Sequence, residues 1–358
     1  MFAFRAVRRI ASPRDVEGKV SVMQALVYEA PRVMEMRDLD VPSVGTGDAL
    51  VRVAFSGICG SELSGFLGQS SIREPPLVFG HEVSGHIAAT GPGVDGWDVG
   101  TPVTVNPLIS CGACRFCEAG RPQLCASRLL LGASLPGCNA EYVRVPASAL
   151  LALPAGLPLP TAAMVEPVAF ALNAVGIGLR TEAQSALVVG AGAIGLFILQ
   201  VLAESGVENR FVVERHPDRL AMAQATGNVA VDPGDGTLAD QLKALTGGFG
   251  VDVAFDAVGS GPSRRDSLAS VRAGGTLVLA GLHSDVTELP LNSVIRSEIT
   301  LAGAFAYTPQ HFSAALDWLA AGRVGLRTGV ERAPLIDGQG WYERLVEGDP
   351  VAKVLLEP

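Results

Sequence analysis

The sequence is poor in basic residues. It has 358 residues with only three lysines; Lys and Arg together number 27 against 36 Asp and Glu, and the formal net charge is −9. Proteins that bind nucleic acid or an anionic membrane through their charge need clustered basic residues. The balance argues against both kinds of partner and favours a small molecule.

The sequence also lacks internal repeats, coiled-coil heptads, low-complexity tracts and a convincing membrane span. Residues 186–203 are apolar enough to imitate a transmembrane helix, but glycines at loop-like spacing interrupt them and flanking basic and aromatic anchors are missing. No secretory signal is recognisable, so we expect a cytoplasmic protein.

The first 22 residues are expected to lie outside the fold, since a strand pattern begins only at Met23. Four arginines precede the first acidic residue, Asp15, a composition that superficially resembles an organelle transit peptide. We interpret the segment as a disordered or loosely docked arm.

Four cysteines are spaced as Cys111-x2-Cys114-x2-Cys117-x7-Cys125. Thiolates at this spacing can close on one tetrahedral metal ion, and Zn²⁺ is the usual occupant of a four-sulfur site. Two disulfides are the alternative, but two-residue separations suit a metal site better than strained local bridges. The spacing therefore predicts a structural zinc lobe.

Two patterns divide the chain. Short β-rich runs punctuated by glycine and proline predict a β domain, with strands at 49–55, 86–90, 102–106 and 140–145. After a proline-rich segment, strand and helix alternate, which predicts a doubly wound α/β domain with a parallel sheet. Its strands are predicted at 186–189, 210–214, 251–257, 276–280 and 299–302. The remaining residues are too few for a third domain and are expected to rejoin the first.

A glycine-rich loop follows the first strand of the α/β part. Gly190, Gly192 and Gly195 form G-x-G-x-x-G between a predicted strand and helix, the context that indicates a dinucleotide site. These glycines allow a tight turn, close approach to a pyrophosphate and packing of helix on strand. Glu214 ends the next strand, where a carboxylate binds the ribose hydroxyls of NAD. Arg215 could instead hold the 2′-phosphate of NADP, so both cofactors stay open.

Three further elements supply a thiolate, an imidazole and carboxylates: residues 57–62 (GICGSE), 80–82 (GHE) and Glu166-Pro167. One of each would leave the fourth position of a zinc ion open, as catalytic zinc requires. With these elements, the four-cysteine lobe and the glycine-rich loop, residues 23–358 resemble the zinc-containing medium-chain dehydrogenase/reductase family. The similarity is greatest to the branch of polyol (sorbitol), threonine and butanediol dehydrogenases, in which the third protein ligand is a Glu before Pro.

The resemblance implies that Cys59, His81 and Glu166 contact a catalytic zinc, Glu166 directly or through water. Glu82 would be an alternate or exchanging ligand. In alcohol dehydrogenases proper the third ligand is Cys, but no cysteine follows Cys138 here, which directs that role to Glu166.

The resemblance also implies a mechanism. Zinc lowers the pKa of a bound alcohol, Ser61 carries the proton away, and the carbon gives hydride to C4 of the nicotinamide. Glu62 matches the acid that orients the zinc-bound imidazole. Many relatives complete the proton relay with a His where this chain has Ser64, which leaves water, Ser64 or a cofactor hydroxyl as the exit route. Arg73 borders the expected pocket and could meet an anionic group, but we expect it to be exposed.

The implied domains are a GroES-like catalytic domain of residues 23–156 and 304–358, with the zinc lobe at about 108–128, and a Rossmann NAD(P)-binding domain of residues 157–303. Phe305 and Tyr307 are expected to reach the cleft between them, where substrate should lie. The expected cofactor-binding residues are Gly190, Gly192, Ala193, Ile194, Gly195, Glu214, Arg215, Arg219, Val258, Gly259, Gly281 and Leu282.

The expected function is a zinc-dependent NAD(H) oxidoreductase acting on a secondary alcohol, polyol, sugar phosphate or amino alcohol, or on the matching ketone, as a homodimer or homotetramer. Alternatives are a primary-alcohol or aldehyde dehydrogenase, a zinc-free NADP-binding quinone-reductase or crystallin-like protein, and a non-catalytic NAD(P)-binding zinc protein. The metal motifs argue against the zinc-free protein. The intact candidate zinc ligands, together with Ser61, argue against the non-catalytic NAD(P)-binding protein.

Overall fold

The computed structural model describes residues 21–232 and 237–358. The predicted N-terminal arm lies outside the described residues except for its last two. Of these, Val22 already opens the first strand and pairs with Asp40, so the fold begins one residue earlier than expected.

The first part of the chain is mostly short strands. They are β1 (Val22–Ala30), β2 (Val33–Asp40), β3 (Asp48–Gly57), β4 (Leu77–Val78), β5 (Glu82–Thr90), β6 (Pro102–Val105), β7 (Leu108–Ile109), β8 (Leu129–Leu130), β9 (Tyr142–Pro146) and β10 (Leu150–Ala152). Short helices lie between them: α1 (Gly60–Phe66), α2 (Arg115–Glu118) and 3-10 turns at Pro122–Leu124 and Ala147–Ala149. The β-rich pattern is confirmed; the helix that follows Cys59 was not predicted.

A seven-stranded sheet holds this part together in the order β10-β6-β5-β3-β18-β17, with β9 also paired to β3. Its last two members, β17 (Val330–Pro334) and β18 (Lys353–Glu357), come from the end of the chain, together with the 3-10 turn Leu335–Asp337 and helix α11 (Gly338–Val346). β18 runs antiparallel to β3. The C-terminal residues therefore close the sheet of the first part.

The middle of the chain forms a six-stranded parallel sheet in the order β13-β12-β11-β14-β15-β16. Its strands are β11 (Ser185–Val189), β12 (Asn209–Val213), β13 (Val229–Ala230), β14 (Val251–Asp256), β15 (Val271–Leu279) and β16 (Thr300–Gly303). The connecting helices are α5 (Ala193–Glu204), α6 (Pro217–Gln224), α7 (Leu238–Leu245), α8 (Gly261–Ser270) and α9 (Leu291–Arg296). The strand order is that of a dinucleotide-binding doubly wound sheet, and the predicted fold class is confirmed; only the short β13 was missed.

The apolar run of residues 186–203 is strand β11, the glycine-rich loop and the 12-residue helix α5. Within the described ranges, none of the helices has both the length and the apolarity needed to cross a bilayer.

Helices α3 (Leu159–Ala162), α4 (Val165–Gly178) and α10 (Pro309–Ala320) connect the two sheets. α4 packs against both α5 and α10, and their buried apolar residues form one cluster. Glu166 lies in the first turn of α4. The start of α4 is thereby held where the first part meets the parallel sheet.

Candidate active site

Cys59, His81 and Glu82 converge at one point. Cys59 is the N-cap residue of α1, and Glu82 opens β5 opposite Gly57 at the end of β3. One ligand atom from each lies within 4.8 Å of the other two. His81 is only 4% exposed, whereas Cys59 is partly exposed. A thiolate, an imidazole and a carboxylate gathered in this way fit a zinc ion.

The imidazole of His81 is oriented by Glu62. Glu62 Oε1 lies 2.7 Å from His81 Nδ1, and the Tyr342 hydroxyl donates to Glu62 Oε2 at 2.6 Å. Burial would lower the pKa of His81, but Cys59 and Glu62 raise it well above its usual value. With Nδ1 facing the Glu62 carboxylate, Nε2 is the nitrogen left for a metal, which supports the predicted role of Glu62.

Sequence reasoning missed Lys353, which is 4% exposed. Its Nζ donates to the two carboxylate oxygens of Glu82 at 2.7 and 2.6 Å and to the Ile58 carbonyl at 3.0 Å. A Cβ on Gly57 would lie 2.1 Å from Glu82 Oε2, so glycine there leaves room for the carboxylate. A lysine inside the apolar C-terminal strand was the available signal. Any role of Glu82 as a metal ligand competes with this ion pair.

Glu166 faces the same site but stands outside the compact group of three ligands. Burial, together with the charge of Glu82, raises the pKa of Glu166 to about 7, against the opposing effect of His81. The buried Tyr307 side chain interacts with Glu166 and, like His81, acts to lower this pKa. The role of Glu166 as third zinc ligand stays a prediction.

The expectation that Arg73 is exposed is wrong: it is 5% exposed. Its guanidinium donates to the Ser61 carbonyl at 3.1 Å, the Ser61 hydroxyl at 3.2 Å and the Gly132 carbonyl at 3.0 Å. The Ser61 hydroxyl in turn donates to Cys59 Sγ at 3.4 Å. Ser64, at the relay position, donates to the Ser61 carbonyl at 3.2 Å. Nothing in the sequence pattern indicated that Arg73 turns inward.

The four lobe cysteines form a second compact group. The sulfur separations are 3.9 Å for Cys111–Cys117, 3.5 Å for Cys114–Cys117 and 3.5 Å for Cys111–Cys125. A tetrahedral ion with Zn–S bonds of about 2.3 Å requires sulfurs about 3.8 Å apart. The backbone of Ala113, followed by the Cys125 side chain, lowers the pKa of Cys111 to about 6, which favours a thiolate. All four are free thiols, so the geometry fits zinc and not disulfides.

The glycine-rich loop has the shape that a dinucleotide needs. Gly190 has φ of +95°, and a Cβ on Gly195 would lie 1.8 Å from the Gly190 carbonyl oxygen, so α5 packs directly on the loop. A Cβ on Gly192 would meet no protein atom. The space beside Gly192 fits a pyrophosphate at the N-terminus of α5, where Ala193 and Ile194 begin the helix.

Glu214 follows β12 directly instead of ending it. One of its carboxylate oxygens accepts from the Ala191 amide at 2.8 Å, and the other accepts from the amides of Arg215 and His216 at 2.7 and 2.9 Å. The carboxylate thus stands beside the glycine-rich loop, and the Arg215 side chain is exposed next to it. This is the expected position of the ribose-binding acid.

The remaining predicted cofactor residues separate into two groups. Val258 lies over Gly190, and Gly259 and Gly281 approach so closely that a Cβ on Gly259 would lie 2.2 Å from the Gly281 carbonyl carbon; Leu282 follows, largely exposed. Arg219 instead donates to the carbonyls of Asp349 and Pro350 at 2.7 and 3.2 Å. Its predicted contact with the adenine side stays a prediction.

Comparison with known proteins gives a consistent result. The chain matches the family models for the alcohol dehydrogenase GroES-like domain over residues 45–155 and the zinc-binding dehydrogenase over residues 193–321. It is 31% identical to D-arabitol-phosphate dehydrogenase of Enterococcus avium over 94% of this chain and 97% of that protein. It is 33% identical to L-threonine 3-dehydrogenase of Rhizobium rhizogenes over 80% of this chain and 84% of that protein. The crystal structure of 2R,3R-butanediol dehydrogenase from Bacillus subtilis matches with a TM-score of 0.86 and 28% identity, covering 94% of this chain and 99% of that one.

Proposed function

Because the chain belongs to the zinc-containing medium-chain dehydrogenase/reductase family, we propose that it oxidises a secondary alcohol or polyol with NAD⁺ and reduces the matching ketone with NADH. The observation that carries this proposal is the convergence of Cys59, His81 and Glu82, with the Ser61 hydroxyl beside them. A non-catalytic nucleotide-binding protein would need neither.

Each residue of the site has a part in the proposed reaction. Bound zinc, held by Cys59 and His81 with Glu166 or Glu82, would act as a Lewis acid that lowers the pKa of the substrate hydroxyl. Because Glu62 lies at Nδ1 of His81, Nε2 is the nitrogen that would hold the metal. Ser61, whose hydroxyl is hydrogen bonded to Cys59 Sγ, would relay the substrate proton: its oxygen accepts that proton while its own hydroxyl proton passes to water or to a cofactor hydroxyl.

NAD is the proposed cofactor. Gly192 gives the pyrophosphate access to the backbone amides at the start of α5, and Glu214 stands where the adenosine ribose hydroxyls would be bound. The exposed guanidinium of Arg215 makes NADP the alternative. Comparing kcat/KM for the two cofactors decides between them.

The first experiment is NADH formation by the purified protein with a panel of secondary alcohols, polyols, phosphorylated polyols and threonine, before and after a chelator has removed the metal. Metal-dependent reduction of NAD⁺ is the expected result. Activity that is indifferent to metal removal would refute the proposed chemistry, while silence across the panel despite bound zinc and NADH would favour the non-catalytic alternative.

A phosphorylated polyol is the second candidate substrate, and Arg128 favours it. Arg128 is exposed, and its guanidinium lies 4.8 Å from the ring centroid of Phe305. Phe305 precedes Tyr307, which interacts with Glu166, by two residues, and from this we infer that the cation stands at the rim of the same site. Among residues 21–232 and 237–358 no carboxylate lies at ion-pair distance from Arg128, and a substrate phosphate can take that place.

If this is correct, Arg128→Ala should raise KM for a phosphorylated polyol by roughly tenfold and leave KM for the neutral polyol unchanged. An equal change for both substrates would show that Arg128 does not select for charge.

We also propose that the chain divides into two domains, residues 23–156 with 304–358 and residues 157–303. The pairing of β18 with β3 supports this division.

A cytoplasmic location is supported by the six free cysteines. A homodimer is supported by the edge strand β16, beside which the apolar side chains of Leu291 and Ile295 on α9 are exposed.

A further inference from the structure

Arg73 is a buried cation with an unusual set of partners. Its three hydrogen bonds go to two backbone carbonyls and to the Ser61 hydroxyl. Within the two described stretches of chain, no carboxylate lies at ion-pair distance from its guanidinium. Placing a charge in the interior costs free energy that a carboxylate partner normally offsets. Here the offset comes from neutral oxygens and, at longer range, from Glu62.

The surroundings of Arg73 are shaped to admit it. A Cβ on Gly65 of α1 would lie 2.7 Å from Arg73 Cδ, so glycine at this position leaves space for the arginine stem. Its guanidinium also lies 5.8 Å from the centre of the Phe79 ring. An arginine with its side chain at the surface would need neither the space beside Gly65 nor the Phe79 ring.

The hydrogen bonds determine which of the proton and lone pairs of the Ser61 hydroxyl are occupied. A hydroxyl has one proton to donate and two lone pairs that accept. In the structure the proton points to Cys59 Sγ and one lone pair accepts from Arg73, which leaves one lone pair free. An arginine only donates and does not lose its proton in proteins, so Arg73 cannot carry a proton itself. Ser64 bonds to the Ser61 carbonyl, not to its hydroxyl.

We propose that Arg73 is a positioning residue that holds the Ser61 hydroxyl in one rotamer, beside Cys59 and with one lone pair left free to accept a proton. This inference rests on the proposed function, because the orientation matters only if Ser61 exchanges a proton with a substrate hydroxyl. Two bonds from one planar guanidinium, to the carbonyl and the hydroxyl of the same serine, fix the rotamer better than one bond could.

A double-mutant cycle with Arg73→Gln and Ser61→Ala tests the proposal. Arg73→Gln alone should lower kcat by roughly 10- to 100-fold, raise the solvent deuterium isotope effect on kcat, and leave KM for NAD⁺ within about twofold. When Ser61 is already Ala, adding Arg73→Gln should cost less than about twofold more. An equal loss with and without the Ser61 hydroxyl would overturn the proposal, because Arg73 would then act by supporting the fold.

Arg210→Gln is the matched control. Arg210 also donates to backbone carbonyls, those of Val207 and Glu208, but lies in the parallel-sheet part away from the metal site. We expect it to change stability without changing the isotope effect.

A crystal structure of Arg73→Gln provides a test that does not depend on activity. We expect Ser61 to lose its single rotamer; an unchanged, fully ordered Ser61 would overturn the proposal. If the wild-type protein reduces no NAD⁺ with any alcohol, the proposed function fails, and the Ser61 rotamer in this variant still decides whether Arg73 positions the hydroxyl.

Discussion

Two buried residues of opposite charge, Glu82 and Lys353, lie against the candidate metal site. Their side chains are almost completely buried, with Nζ of Lys353 within 2.7 Å of both carboxylate oxygens. Burial lowers the pKa of Lys353, but Glu82 and Cys59 outweigh it and raise that pKa, so the lysine stays protonated. The cation therefore neutralises part of the negative charge that gathers around Cys59, Glu82 and Glu166.

Replacing Lys353 with Met keeps much of the side-chain volume but leaves the Glu82 carboxylate buried without its donor. Removing one partner of a buried ion pair costs about 3–5 kcal/mol, and we expect a loss of this size in the free energy of unfolding measured by denaturant titration. Lys243→Met is the matched control, because Lys243 is exposed on α7. Equal stability of the two variants would mean that the pair contributes nothing to the folded state.

At the scale of elements, the glycines in the turn from β11 into α5 are required for different reasons. Gly195 lies where helix and loop backbone touch, so a side chain there collides with the Gly190 carbonyl. Gly192 has φ of −69°, which other residues adopt, and a Cβ there meets no protein atom. The requirement for glycine at 195 therefore comes from the fold, whereas at 192 it comes from a ligand.

This difference predicts opposite behaviour for two alanine variants. Gly192→Ala should fold with the wild-type melting temperature but bind NADH at least about tenfold more weakly, since the methyl group occupies the space that the pyrophosphate needs. Gly195→Ala should lose both stability and binding, because α5 must move away from the loop. NADH fluorescence titration and thermal unfolding measure both quantities. Wild-type NADH affinity in Gly192→Ala would contradict the placement of the pyrophosphate.

At the scale of the whole molecule, distance along the chain decided which site residues could be predicted. Cys59 with Ser61 and Glu62, and His81 with Glu82, stand in short motifs whose chemistry is local, as does the glycine-rich loop. Lys353 and Tyr342 reach the site only because β18 pairs with β3 and α11 packs behind it, contacts that no local pattern encodes. Arg73 was misjudged for the same reason: its burial depends on Gly65 and Gly132, which belong to other segments.

The edge of the parallel sheet predicts how whole molecules associate. β16 is the last strand in its order, so one side of its backbone has no partner strand within the described residues, and such edges pair readily with a second copy. Ile295 on the neighbouring α9 is 72% exposed. Burying this apolar surface against a second copy would remove it from water, which favours a dimer over a monomer.

We therefore expect light scattering after size exclusion to give at least twice the chain mass of 37.0 kDa at micromolar concentration. Ile295→Asp should shift the protein towards monomer, since a carboxylate would be desolvated in the contact. Phe249→Asp is the control, because Phe249 is 73% exposed, as much as Ile295, but lies before β14 and away from this edge. A wild-type monomer, or equal dissociation by the two substitutions, would exclude β16 and α9 as the contact. Retention of NADH binding by the monomeric variant would further show that each subunit forms its cofactor site alone. We expect this result because Gly192 and Glu214 belong to the same chain.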